Sequence, residues 1–297
     1  MPNELKELIE KYKDRIIIIF ITLVVLDIFI YWQIFELNKD KDRLSFYFLE
    51  VGQGDSSLIV LPGGVKILVD GGPSNGKILE VLAKILPPNE RYFDLVILTH
   101  PEHDHFGGLI EILRRYRVGV FIHNGRASNS LAFGEVRKIV TEKEIKTINL
   151  AAGDRIRYQE NVINIISPTV ELLKQKNISN NDASLVFIVE AMGVKAIFTG
   201  DISSKIEKEL IRFKKLIPVD ILKVAHHGSK FSSSAQFLSV IQPRLAVIGV
   251  GKNSYGHPTS EVLNRLFSVG AVVFRTDQDG TVKILLKKDK ELEIFKL

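Results

Sequence analysis

The sequence predicts a mixed α/β domain behind a single N-terminal apolar helix. Three observations carry that expectation. From residue 45 onward, short β-branched runs alternate with stretches whose apolar residues recur at helical spacing. A block of mostly apolar residues from Ile16 to Phe35 precedes them. Six of the seven histidines fall into three groups, each following or closely trailing an apolar run. Only His123 stands alone, at the end of Val118–Ile122, and it reads as structural.

The N-terminal block reads IIIIFITLVVLDIFIYWQIF, long enough to span a bilayer core at helical rise. Asp27 opposes insertion by roughly 2.5–3.5 kcal/mol, and its Leu, Ile, Val and Phe residues, at roughly −0.3 to −0.6 kcal/mol each, outweigh it. A buried soluble helix is the competing reading. A signal peptide fits less well, because the run is long and no small-x-small cleavage pattern follows. Lys6, Lys11, Lys13 and Arg15 precede the span, and Lys39, Lys41 and Arg43 follow it. That balance, with the amino terminus, favours a cytoplasmic N-terminus, a single pass and an extracytoplasmic domain. The expected organisation is a flank (1–15), an anchor (16–35), a charged linker (36–44) and one domain (45–297).

Within that domain, strands are expected at Ser45–Val51, Ser56–Leu61, Val65–Asp70 and Asp94–Thr99. Further strands are expected at Val162–Ile166, Ser184–Glu190, Val194–Thr199, Val219–Ala225 and Leu245–Val250. Helices are expected at Gly76–Leu86, Leu109–Tyr116, Phe133–Glu142, Ser203–Arg212, Ala235–Ile241 and Glu261–Phe267. The apolar share, 45%, suffices for a sizeable core. Cysteine is absent, which excludes disulfides and thiolate metal ligands. The net charge of +5 is compatible with an anionic partner.

The chemistry concentrates in Thr99-His100-Pro101-Glu102-His103-Asp104-His105-Phe106-Gly107-Gly108, directly after an apolar run. Imidazole nitrogens and carboxylate oxygens are the ligands of zinc, manganese or iron in hydrolytic sites. A polar surface loop is the plain alternative, but histidine is scarce here and does not scatter. Asp201 closes Phe198-Thr199-Gly200-Asp201, and Asp70 closes Leu68-Val69-Asp70-Gly71-Gly72. Such endings are often only turns. Beside the histidine groups, Asp201 becomes a candidate bridge between two metals, and Asp70 a carboxylate that orients a histidine ligand.

The run His100, Glu102, Asp104, His105 resembles the His-x-His-x-Asp-His signature of the metallo-β-lactamase superfamily. Phe48-Leu49-Glu50-Val51-Gly52-Gln53-Gly54-Asp55 is similar to the opening hairpin motif of one branch, the C-terminal hydrolase domain of ComEC competence proteins. The Asp70, His100 and Asp201 motifs follow in that branch's order. So do Leu222-Lys223-Val224-Ala225-His226-His227-Gly228-Ser229, Tyr255-Gly256-His257-Pro258 and Arg275-Thr276-Asp277. The resemblance covers about residues 45–290.

That resemblance implies an α/β four-layer αβ/βα sandwich and a hydrolase of the phosphodiesterase type, with a nuclease acting on DNA as the expectation. It implies one or two divalent ions, zinc or manganese, with magnesium as a further candidate, held by His100, Glu102, Asp104, His105 and Asp201. His226 or His227, with Ser229, would contact a non-bridging oxygen or protonate the leaving group, and His257 is a last ligand or a phosphate contact. Glu102 stands where the superfamily has a second histidine, and His103 falls on a position the signature leaves free. The third-motif histidine is missing as well; Asn181 or Asp182 would supply an oxygen there. Asp55, Asp70 and Lys223 are supporting candidates, Lys223 either offsetting phosphate charge or standing as a solvated strand-end residue. ComEC proteins resemble multi-pass channels and this chain has one span, so a DNA-uptake role calls for a separate channel partner. An anchored hydrolase of another phosphodiester or ester, and an anchored binding module with a degenerate site, are the alternatives. Arg114-Arg115-Tyr116-Arg117 and Arg155-Ile156-Arg157-Tyr158 are candidates for a basic groove.

Overall fold

The computed structural model describes residues 3–38, 43–287 and 291–297. The chain divides into two units, Met1–Asp42 with Pro62–Gly64, and Arg43–Leu61 with Val65–Leu297. The first unit contains one continuous helix, Asn3–Asn38. Its stretch Glu10–Gln33 has a mean hydropathy of 2.4 and is exposed throughout, so by length and composition it could cross a membrane. The helix runs past residue 36 because Glu36-Leu37-Asn38 contains neither Gly nor Pro to stop it. The linker expected at 36–44 therefore begins later than the composition suggested, and its residues 39–42 lie outside the described residues.

The second unit is built on two sheets. The first comprises β1 (Ser45–Phe48), β2 (Ser57–Val60), β3 (Lys66–Val69), β4 (Tyr92–Ile97), β5 (Arg117–His123) and β6 (Lys146–Asn149). The second comprises β7 (Arg155–Tyr158), β8 (Asn161–Ser167), β9 (Val186–Ala191), β10 (Val194–Phe198), β11 (Ile221–Lys223), β12 (Leu245–Ile248) and β13 (Val272–Arg275). β14 (Val282–Leu286) and β15 (Leu292–Lys296) return to the first sheet. The strand orders are β15-β14-β1-β2-β3-β4-β5-β6 and β13-β12-β11-β10-β9-β8-β7.

Strand alternation explains the layering. In β10, Ala196 and Phe198 point into the core between the sheets, while Ile197 points outward against helices. Phe46 and Phe48 from the first sheet meet Phe187 and Phe198 from the second, with Phe187 and Phe198 stacked at 5.0 Å. On the outer face of the first sheet, Leu58, Leu68 and Val96 pack under Ile78, Leu82, Leu109, Leu113 and Val136. On that of the second, Ile197, Leu222 and Ala246 pack under Ile206, Leu210, Leu238, Val262 and Leu266. The result is the four-layer sandwich.

All six helices expected from helical spacing form, each within two residues of its expected bounds. The strands β6, β7, β13, β14 and β15 carry weaker sequence signals. β7 is the edge strand Arg-Ile-Arg-Tyr, which buries Ile156 and Tyr158 only partly and leaves both arginines exposed. Parallel pairing places Val69 beside Ile97, and Phe198 beside Lys223, which in turn lies beside Val247. The segments after β3, β4, β10, β11 and β12 therefore leave the sheets at corresponding ends, and every histidine and acid of interest after them is delivered there.

Candidate metal centre

Four buried side chains converge at these strand ends. One ligand atom from each of Asp55, His105, Asp201 and His227 lies within 4.8 Å of every other. Asp201 is central. Its Oδ2 lies 3.3 Å from His105 Nε2, 3.7 Å from His227 Nε2 and 4.0 Å from His100 Nε2.

Each of these histidines is turned by a contact at its other ring nitrogen. His105 Nδ1 lies 2.8 Å from Asp70 Oδ2, and Asp70 also accepts from Thr99 N and Thr99 Oγ1. His227 Nδ1 donates to Gly249 O at 2.7 Å. His100 Nδ1 lies 3.0 Å from Thr99 Oγ1. A hydrogen bond at Nδ1 sets the tautomer and leaves the Nε2 lone pair for a metal. His100 Nε2, His105 Nε2 and Asp55 Oδ1 are buried and accept or donate no hydrogen bond. Orphaned buried polar atoms of this kind are costly unless an ion completes them, so the residues present fit a divalent cation.

The backbone is shaped for this convergence. Asp55 N donates to Asp104 O, Gly71 N to His105 O and Gly108 N to Gly72 O, which knits three motif loops together. His226 and His227 sit in a tight turn after β11, both left-handed at φ 51° and 53°. Such positions cost non-glycine residues of order 1–3 kcal/mol each and persist where the surroundings hold them. Here Asp201 Oδ1 accepts from His226 N, and Ser229 N donates to His226 O.

Charge balance follows from burial. Burial opposes ionisation of Asp201, but His105 and His227 hold it well below the usual carboxylate range. Burial likewise opposes protonation of His227, yet Asp55 and Asp201 lift it to about 10. Asp201 and Asp70 raise His105 in the same way. His100 goes the other way, to about 3, through burial and its neighbour His105. Protons on His105 and His227 thus balance the carboxylates where a divalent ion would displace them.

The other expected residues fall into several groups. Asp104 lies on the rim, its Oδ2 3.2 Å from His227 Nε2, and despite burial His227 and His105 hold its pKa down. His257 is linked to the cluster through rings, 5.7 Å from His226, which is itself 6.2 Å from His227. Ser229 is buried in the turn, where its Oγ accepts from Phe231 N. Glu102 lies outside the four-residue group; its Oε1 accepts from Asn180 Nδ2 at 2.7 Å, and Arg126 Nε donates to Asn180 Oδ1. Asn181 and Asp182 also lie outside it. Asn181 contributes its backbone carbonyl to Ser184, and Asp182 Oδ1 accepts from Ser203 N. His103 is exposed and pairs edge-to-face with Phe106 at 5.6 Å, while His123 Nδ1 accepts from Gly125 N.

One expectation needs correction. Lys223 is not a solvated strand-end residue: it is 4% exposed, and its ammonium donates to Asp55 Oδ2 at 2.6 Å and to Val224 O. Burial of a lone ammonium is prohibitive, so the partner carboxylate claims it. In the basic run at 114–117, Arg114 pairs with Glu111 and Glu135, and Arg115 with Glu111. These pairs form at helix spacing and across to the next helix, while Arg117 lies over the Tyr92 ring and Arg155 and Arg157 are exposed. Sequence reasoning placed Asp55 only among supporting residues. Its signal was the same Gly-Asp ending that marks Asp201.

The metallo-beta-lactamase superfamily model matches residues 49–252. The chain is 29% identical over 256 residues to ComE operon protein 3 of Bacillus subtilis, covering 80% of this chain and 32% of that protein. It is 32% identical over 253 residues to Recombination protein 2 of Haemophilus influenzae, covering 83% and 29%. The chain thus spans about a third of these relatives' length. Among solved structures, Igni18, a metallo hydrolase from Ignicoccus hospitalis, superimposes with a TM-score of 0.52 at 18% identity, covering 80% of this chain and 98% of that one. Matched along most of its length by that family model, and folded as a four-layer sandwich around a buried His/Asp cluster, the chain belongs to the metallo-beta-lactamase superfamily.

Proposed function

We propose that this chain is a membrane-anchored, metal-dependent phosphodiesterase acting on DNA. The convergence of His105, His227, Asp201 and Asp55, with ring nitrogens backed at Nδ1 and presented at Nε2, carries the reading. A divalent ion held there would supply Lewis-acid charge and a water of lowered pKa. A nitrogen and oxygen donor set without thiolate suits manganese or zinc. The chain's own residues do the rest. Asp201 and Asp55 stay ionised and carry the negative charge of the site. Asp104, ionised and partly open to solvent, steadies the His227 ring through Oδ2. His226 and His257 line the approach and are placed to contact phosphate oxygens or return a proton to the leaving group.

DNA is favoured by the order of motifs shared with ComEC competence proteins and by a relative named as a recombination protein. The helix Glu10–Gln33 would hold the domain at a membrane, with DNA delivered through a separate channel protein. The test uses the full chain in detergent with Mn²⁺, Mg²⁺ or Zn²⁺. Single-stranded DNA, duplex DNA and a chromogenic phosphodiester are offered in parallel. Metal-dependent DNA cleavage, abolished by chelator and by His105→Ala, is expected. Hydrolysis of the small phosphodiester with both DNAs intact would reject DNA and favour another anchored phosphodiesterase.

A further inference from the structure

A continuous file of rings leads out of the buried cluster. His105 lies 5.7 Å from His227, His227 6.2 Å from His226, His226 5.7 Å from His257, and His257 5.8 Å from Tyr255. Exposure rises along it, from 0% at His105 to 72% at Tyr255. Tyr255 contributes nothing to the hydrophobic core, yet its loop is held firmly. Asn253 Oδ1 accepts from Tyr255 N and His257 N, and Asn253 Nδ2 donates to Gly251 O and His257 O. Gly251 lies so close to Gly52 and Gln53 that a Cβ would strike their backbone at 2.4 Å and 2.5 Å. The loop is therefore clamped against the Gly-Gln-Gly-Asp turn.

A large, exposed aromatic on a braced loop, backed by a histidine at the mouth of a metal-ligand cluster, is placed to bind a flat partner. Lys252, three residues before Tyr255, is exposed on the same loop and adds a cation to it. Phe231, the exposed aromatic after the His226-His227 turn, already carries Lys230 over its ring at 5.3 Å. The geometry points to Tyr255 as a stacking platform for an unpaired nucleobase next to the scissile phosphodiester, an inference that rests on the nucleic-acid reading above. Aromatic faces accept any base but only one freed from its pair, so the platform selects single strands while leaving sequence unread. Lys252 tracks the backbone phosphate as a sequence-independent charge.

The test measures steady-state cleavage by the full chain in detergent with Mn²⁺. A single-stranded oligonucleotide is compared with an abasic strand of the same length, and both with a chromogenic phosphodiester. In the unmodified protein the base-bearing strand has the lower KM. Tyr255→Ala raises KM on that strand by about 5- to 150-fold and collapses its advantage over the abasic strand. Tyr255→Trp preserves the advantage, which a purely structural role for the loop does not predict. If Tyr255→Ala keeps the advantage while both strands are cleaved, the platform is overturned and the nuclease reading stands. If neither strand is cleaved and the chromogenic phosphodiester is, both fall together.

Discussion

Asp70 touches Thr99 twice and His105 once, and its task is to hold the His105 ring. Carboxylates that orient a histidine ligand are worth 10- to 100-fold in metal affinity. Asp70→Asn is therefore expected to weaken Mn²⁺ or Zn²⁺ binding by about 10- to 100-fold, read by competition with a chelating indicator. An unchanged affinity would remove Asp70 from the site. Lys223→Ala removes the ammonium that bonds Asp55, leaving His227 at 3.5 Å as its neighbouring cation, and is expected to cost about 3–5 kcal/mol in urea unfolding. A loss below ~1 kcal/mol would mean Asp55 is already satisfied. At this scale much of the site was legible. His105, Asp201 and His227 announce themselves by residue type at a strand end. Glu102 and Asp182 have the same chemistry, yet their carboxylates accept from Asn180 and Ser203. Residue type gives a side chain's donors and acceptors, not the neighbours that claim them.

Among the elements, the segment after β12 packs directly against the cluster. A Cβ added to Gly249 would stand 2.1 Å from Asp55 Oδ1, and Gly249 O is also the acceptor for His227. Gly249→Ala should displace both ligands together. The expected outcome is loss of metal binding by titration calorimetry and about 1–3 kcal/mol of stability from overpacking. The helix Ser204–Arg212 poses a pH question. Its buried Glu207 accepts from Ser233 N and Ser234 N, and burial raises its pKa above 4.5 despite those bonds. Between the unfolded value and the raised folded value, the folded state keeps a proton that the unfolded chain has lost. Glu207's contribution is thus complete below about 4.5 and fades as pH rises through its folded pKa. Glu207→Gln should flatten the dependence of the urea midpoint on pH in that window. A slope that survives the substitution would belong to another group. Helices were the more legible elements, because each shows its buried stripe over several turns. β7 and β15 leave most of their side chains only partly buried, so their alternation is shallow.

For the molecule as a whole, the helix Glu10–Gln33 sets where the site would work. If it anchors the chain, the protein should stay in the membrane pellet through an alkaline carbonate wash, with its N-terminal residues still present by sequencing. Release into the supernatant, or loss of residues 1–35, would count against an anchor. The local text was enough for the apolar helix, the alternation of strands and helices, and the nitrogen and oxygen character of the ligands, because these depend on neighbours a few residues apart. Folding settled which groups meet. Asp55, His105, Asp201 and His227 come from distant segments and converge because two sheets place their strand ends side by side. The same packing turned each histidine by its Nδ1 contact and drew Lys223 inward to Asp55. A buried charge takes the partner that three-dimensional proximity offers, and proximity between distant segments is set by strand order and not by spacing along the chain.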